Sequence, residues 1–214
     1  MRVGVIDYGV GNLGSVMRAL EELRSNPILV TRPSDLHLVD SIILPGVGNF
    51  TDCAQILYRD GWSDAIHEEA SLKCKPLLGI CLGMQLLATS GAEGARDNCA
   101  NGTRGLGLIP GRVLELAVLG CSLRIPHVGW NEIKIQTSSG TLFDGIPDGT
   151  DFYFVHSYAF VAENPAHVLA TSIYGVPVVA AVRRENVWGT QFHPEKSSRA
   201  GFRLLRNFID SATC

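Results

Sequence analysis

Apolar residues open the chain as a short run, Val3 to Ile6 interrupted only by Gly4, and then change period. Leu13, Val16, Met17, Leu20 and Leu23 follow at i, i+3, i+4 spacing. The run fits a strand buried on both faces, and the later spacing fits a helix lying against it. The alternation recurs: 26–31 and 40–45 read as strands, 50–73 as one or two helices broken at Gly61, 75–80 as a strand and 83–90 as a short helix. Strands alternating with helices predict a parallel, doubly wound sheet. Beyond residue 105 the pattern changes to short β-rich runs separated by turn residues, at 112–116, 131–135, 151–161, 167–175, 176–184 and 187–193. They predict an antiparallel meander added to the parallel core. A closing helix over 198–210 places Phe202, Leu205 and Ile209 on one stripe. The polar, Gly-rich stretch 91–105 reads as a surface loop. Neither a linker nor a heptad repeat interrupts the chain, so residues 1–214 read as one domain.

Composition narrows the function classes. The chain has 214 residues, 46% hydrophobic and 18% charged, with a net charge of −3. That length supports a real core, and the charge gives no electrostatic case for nucleic acid or an anionic membrane. The most apolar window, 76–88, is too short to span a bilayer and contains Gln85. With no targeting segment legible, a cytoplasmic location is expected. The six cysteines form no CxxC pair and no spacing with His that suits zinc, so neither a metal nor a disulfide framework is expected.

Two stretches share Gly-Val-Gly-Asn after an apolar run, at 9–12 and 46–49, and the first extends to Gly9-x-Gly11-x-x-Gly14. Strand, glycine turn and helix is the setting of a dinucleotide fingerprint. Where an acidic residue is expected roughly twenty positions on, the chain reads Val-Thr-Arg-Pro-Ser-Asp at 30–35, in which Arg32 could serve a 2′-phosphate while Asp35 sits beyond Pro33. Asp7 also brings a negative charge to where a pyrophosphate would sit. Cofactor titration decides that alternative, and no cofactor is expected. Outside the four shared letters the two copies agree only in being helical, so two βα turns meeting one steric demand account for the repeat.

The richest stretch is Pro76 to Gln85. An apolar strand leads into Gly79-Ile80-Cys81-Leu82-Gly83 and then a helix, the G-x-nucleophile-x-G elbow with Cys in place of Ser. Such a turn lifts Cys81 to a helix N-terminus, where backbone N–H groups favour a thiolate. A buried Cys in a tight turn is the bland alternative. Among the histidines, His37, His67 and His167 read as surface positions, and His127 and His156 lie in apolar runs. His193 ends a β-rich run with Glu195 two residues on. In an extended segment i and i+2 point the same way, and Pro194 restricts the residue between. Glu195 is then placed to orient His193, the third member of a triad. A tetrahedral intermediate on Cys81 needs N–H donors: Leu82, just after the nucleophile, and a second βα loop, for which Val47 and Gly48 are the candidates. Glycines at 46 and 48 would let that peptide rotate.

These residues resemble the class I, or triad, glutamine amidotransferases. "GICLGMQ" (79–85) is similar to their nucleophile elbow and "QFHPEKS" (191–197) to their His-Pro-Glu motif, over nearly the whole chain. "DYGVGNLGSV", "LPGVGNF", "GLGLIPG", "PHVGWNE" and "FYFVHSY" sharpen the resemblance towards the members that serve histidine biosynthesis. It implies an α/β, flavodoxin-like, mostly parallel sheet flanked by helices, with added antiparallel strands in the C-terminal half. It implies L-glutamine as substrate, Cys81, His193 and Glu195 as the triad, and Gly48, Gln85, His156, Ser157 and Tyr158 as glutamine contacts. Ammonia is expected to pass to a cyclase subunit, a (β/α)8 barrel forming a heterodimer, to make imidazole glycerol phosphate. Asn12, Trp130 and Lys196 match that interface, although Trp130 equally suits a core. A paralogue serving another acceptor enzyme and a non-catalytic glutamine sensor are the alternatives.

Overall fold

The computed structural model describes residues 1–95, 102–136 and 142–211. In chain order the elements are β1 (Arg2–Ile6), α1 (Leu13–Glu22), β2 (Asn26–Val30), β3 (Ser41–Gly46), α2 (Phe50–Arg59), α3 (Trp62–Ile66), β4 (Leu77–Cys81) and α4 (Leu82–Leu86). There follow β5 (Ser90–Gly91), β6 (Thr103–Arg104), β7 (Gly111–Glu115), β8 (His127–Glu132), β9 (Lys134–Ile135), β10 (Asp151–His156) and β11 (Tyr158–Ala162). The last are β12 (Val168–Tyr174), β13 (Val176–Arg184), β14 (Val187–Thr190) and α5 (Ser198–Ser211). As expected, Gly61 breaks the 50–73 segment, at a φ of +80°. The helix expected over 83–90 ends earlier, at Leu86.

The main sheet runs β2-β1-β3-β4-β14-β13-β12-β9. Its first five strands are parallel, and β13, β12 and β9 follow antiparallel. Every residue of β3 and β4 is buried, which is why these strands read as unbroken apolar runs. Alternation decides the faces. Ile42, Leu44 and Leu77 join Leu57, Trp62 and Ile66 on the α2–α3 side, while Ile43, Leu78 and Ile80 join Val16, Leu20, Leu204 and Phe208 beneath α1 and α5.

The expected single meander is corrected in two ways. The run at 187–193 contributes β14, which pairs in parallel with β4 in the middle of the sheet. The other β-rich runs divide: β13, β12 and β9 extend the main sheet, β8 and β10 form a separate two-stranded ribbon, and β11 and β7 join β5 and β6 in a four-stranded sheet. The second sheet also revises 91–105. Gly91 and Thr103 pair across β5 and β6, so the ends of that stretch are sheet; its centre, 96–101, lies outside the described residues.

Candidate active site

Strand β4 passes directly into helix α4, and Cys81 sits at the junction with φ +56° and ψ −113°. A non-glycine residue in such a region costs about 1–3 kcal/mol, and persists only where packing over-determines it. The packing is visible in two glycines. A methyl group at Gly83 would lie 1.8 Å from the Leu44 carbonyl oxygen, and one at Gly46 2.8 Å from the Gly83 nitrogen. The β3 and α4 backbones therefore touch, and the contact holds Cys81 at the end of its strand. Because α4 has only five residues, it offers little more than one turn of aligned peptide dipoles.

His193 and Glu195 meet as expected, but for a different reason. Residues 194–196 form a 3-10 turn rather than an extended segment. Within it His193 Nδ1 lies 2.8 Å from Glu195 Oε1, and the two side chains are only 3% and 1% exposed. The His193 backbone is anchored at both ends, its N–H donating to the Tyr153 carbonyl at 2.9 Å and its carbonyl accepting from Ser197 Oγ at 2.6 Å. Burial opposes a charge on His193, yet the Cys81 sulfur and the Glu195 carboxylate outweigh it and raise its pKa to about 9. Its Nε2 has no hydrogen-bond partner of ordinary geometry among the described residues, and both His193 and Cys81 line one cavity.

That cavity has a volume of about 330 Å³, at the lower end for small-molecule sites. Val47, Gly48 and Leu82 line it, as do Gln85, His156, Ser157 and Tyr158, so the sequence-derived oxyanion and glutamine-contact residues converge. Gly46 departs from expectation. It belongs to β3 and pairs with Cys81, so close approach, not rotation, requires it. Gly48, at φ +93°, is the position with left-handed backbone. The Val47 carbonyl accepts from the Cys53 thiol at 3.6 Å, which sets the resting orientation of the 47–48 peptide. His127 and His156 are buried with Nδ1 of the first 3.0 Å from Nε2 of the second. Burial pushes both down to about 4, and in His156 the neighbouring His127 and His193 add to the effect. His67, expected at the surface, is half-buried, with Nε2 2.8 Å from the Leu106 carbonyl oxygen.

Three residues escaped the sequence reading. Glu93 lines the cavity, its carboxylate accepting from the Phe50 N–H at 2.9 Å and its pKa raised by burial. Gln191 is fully buried, with Nε2 3.8 Å from Cys81 Sγ. Tyr153 lies between two expected interface residues: Trp130 packs edge-on at 6.1 Å, and Lys196 Nζ stands 5.9 Å from its ring centre. A polar residue inside an apolar run was the available signal for Gln191, and Glu93 carried none.

Trp130 is 53% exposed, which excludes the core position. Asn12 precedes α1 without making a side-chain cap, whereas Asn49, its counterpart in the second glycine stretch, accepts from the Asp52 N–H and caps α2. The two Gly-Val-Gly-Asn copies thus do not share one backbone: Gly9 is left-handed at φ +89° while Gly46 lies in a strand. The fingerprint also fails physically. Asp7 Oδ1 accepts the Gly9 N–H at 3.0 Å, taking a donor that a pyrophosphate would need. A methyl group at Gly14 would meet nothing within 4 Å, although the third fingerprint glycine serves close helix–strand packing. Among the described residues no helix is long and apolar enough to cross a membrane.

The chain is similar to known proteins over almost its whole length. The chain is 46% identical to imidazole glycerol phosphate synthase subunit HisH of Rhodospirillum rubrum, covering 98% of each protein. It is 44% identical to the subunit of the same name from Moorella thermoacetica, over 96% of this chain and 93% of that one, and 37% identical to that of Pelagibacter ubique. A crystal structure of a glutamine amidotransferase superposes with a TM-score of 0.75 at 22% identity, covering 99% of each chain, and PurLQS from Thermotoga maritima with 0.74 at 20%, covering 98% and 97%. Those two show the α/β fold. The family model for glutamine amidotransferase class-I matches residues 4–212, and with the strained cysteine, the buried imidazole and the glycine-framed cavity all inside that span, the chain belongs to the class I glutamine amidotransferases.

Proposed function

We propose that the chain hydrolyses L-glutamine to glutamate and ammonia through a thioester on Cys81, and hands the ammonia to a partner subunit. The observation that carries this is the meeting of a strained Cys81 with His193 in one cavity, backed by the 2.8 Å His193–Glu195 contact. The Cys81 S–H bond breaks and its proton passes to His193 Nε2. The sulfur electron pair attacks the side-chain amide carbon of glutamine. Negative charge then develops on the amide oxygen, for which the backbone N–H groups of Leu82 and the 47–48 peptide, on the cavity wall, are the candidate donors. His193 returns its proton to the amide nitrogen, which leaves as ammonia. A water then gives a proton to His193 and attacks the thioester carbon; the C–S bond breaks, glutamate leaves, and the Cys81 sulfur takes the proton back from His193. Glu195 holds His193 in the Nδ1–H tautomer throughout, and Glu93 offers a carboxylate for the substrate ammonium group.

We infer the partner to be the cyclase subunit of imidazole glycerol phosphate synthase, a (β/α)8 barrel, in a heterodimer. The names of the relatives support this, as does the exposed Trp130 beside Tyr153 and Lys196. Surface-exposed tryptophans are favoured interface anchors. The test is to purify the chain with the cyclase from the same organism and follow glutamate release with and without the ribonucleotide substrate. Turnover is expected to need the partner and to vanish in Cys81→Ala. Persisting turnover in that variant would remove the thioester mechanism, and indifference to the cyclase would point to another acceptor enzyme.

A further inference from the structure

We propose that Gln191 is a further catalytic residue, whose side-chain amide donates to the Cys81 sulfur and supports it as a thiolate. The proposal rests on the glutaminase reading of this cavity and adds a group to it. Gln191 Nε2 stands 3.8 Å from Cys81 Sγ, and Gln191 is 0% exposed. Its amide could in principle face either way, so the orientation must come from its neighbours.

The neighbours leave one assignment. A carbonyl oxygen only accepts, and the Tyr158 carbonyl is approached by Gln85 Nε2 at 2.9 Å and by His156 Nδ1 at 2.8 Å. Both are therefore donors. Gln85 Nε2 uses its second proton on Gln191 Oε1, also at 2.9 Å. Turning Gln191 round would set two NH2 groups against each other. Its nitrogen thus faces the sulfur. On the other side, a neutral His156 protonated at Nδ1 must accept at Nε2, so His127 Nδ1 donates to it at 3.0 Å. His127 Nε2 then accepts from Asn131 Nδ2 at 3.4 Å, and that amide also donates to the Ile173 carbonyl at 2.9 Å. Two runs of hydrogen bonds therefore meet at the Tyr158 carbonyl: Asn131, His127 and His156 donate towards it in turn, and Gln85, which also donates to it, starts a second run through Gln191 to Cys81. Phe154 and Tyr174 stack on the two faces of His127, at 4.9 and 3.9 Å, which holds its ring. Burial keeps both imidazoles neutral at neutral pH, so the run from Asn131 keeps its direction towards the Tyr158 carbonyl.

The chemistry gives that last donor a role. As a thiol, Cys81 donates to the Val155 carbonyl at 3.7 Å. When the S–H bond breaks and the proton moves to His193 Nε2, the electron pair stays on sulfur and the Val155 oxygen becomes repulsive. Gln191 keeps its own protons and supplies an N–H directed at the new charge from a fully buried position. Hydrogen bonds to charged groups are stronger than those between neutral ones.

The test reads the sulfur without using glutamine. The full chain is alkylated with iodoacetamide between pH 6 and 10, and modification of Cys81 is followed by peptide mass spectrometry. Gln191→Met keeps the length and removes the donor, and Gln191→Glu replaces it with an acceptor. At pH 7 alkylation is expected to slow about tenfold in Gln191→Met, equivalent to about 1.4 kcal/mol, and further in Gln191→Glu. The half-maximal pH should rise in both, and kcat should fall more than KM changes. A folded Gln191→Met with the wild-type profile overturns the proposal, whatever its turnover. Should neither variant fold, the side-chain amide resonance of Gln191 in the wild type decides: it is expected to shift when Cys81 is alkylated, and an unmoved resonance overturns the proposal. Absence of glutaminase activity in the wild type would sink the function while leaving this result readable.

Discussion

Adding one methyl group at Gly83 tests whether the elbow depends on backbone contact. In Gly83→Ala the new carbon would stand 1.8 Å from the Leu44 carbonyl oxygen. A relaxed C···O contact is about 3.3 Å, so the two backbones must separate by about 1.5 Å. Neither side yields easily: Leu44 belongs to a wholly buried strand paired on both sides, by β1 and β4, and Gly83 is buried within α4. Overpacking of side chains costs about 1–3 kcal/mol, and a backbone clash belongs at the upper end. At about 2–4 °C per kcal/mol for a chain of this size, a cost of about 3 kcal/mol lowers the melting temperature by about 6–12 °C. The functional loss should be larger. The displaced surfaces carry Cys81 on one side and the 47–48 peptide on the other, and a misplacement of about 1 Å costs about 100-fold. Thermal unfolding and glutamate release in the complex are the assays. Gly14→Ala is the control, because its methyl group meets nothing within 4 Å in helix α1. It should stabilise by about 0.5–1 kcal/mol. A Gly83→Ala protein that melts within about 2 °C of wild type and keeps its turnover would refute the packing account of the elbow.

Two further outcomes follow from the buried titratable groups. Glu195→Gln removes the carboxylate 2.8 Å from His193 Nδ1, and should lower kcat about 100-fold or more. The His193 pKa, read by NMR, should fall from about 9 towards its ordinary value; an unmoved pKa would show that Glu195 does not support the ring's charge. In wild type that raised pKa stabilises the fold fully below about pH 6.5 and less as pH rises through about 9. His127 and His156 carry the opposite sign, with pKa values pushed down to about 4. Between about pH 4 and 6.5 the unfolded chain binds more protons than the native one at these sites, so stability falls as pH falls through that window. His127→Phe, which keeps an aromatic ring between Phe154 and Tyr174, should make the melting temperature less acid-sensitive there; an unchanged pH slope would refute the assignment.

Local periodicity was enough to place β1, β3, β4 and α1, because burial on two faces or on one helical stripe leaves its mark on consecutive residues. The elbow was legible for a related reason: the glycines that permit Cys81 its position adjoin it in the chain. His193 and Glu195 were also adjacent, although a 3-10 turn, not a strand, brings them together. What the sequence alone left undecided depends on partners far along the chain. The Val187–Thr190 run has the same apolar character whichever way its neighbour points, and only its pairing with β4 makes it a parallel central strand. Gln191 lies 110 residues from Cys81, and Gln85 lies 106 from Gln191. An apolar run around a polar side chain can signal its burial, but nothing local says which distant groups it meets. The sequence by itself marked Cys81, His193 and Glu195 as the candidates for nucleophile, base and orienting carboxylate. The tertiary structure decided which polar groups face them, because that depends on sheet order and on carbonyls that accept from one side only.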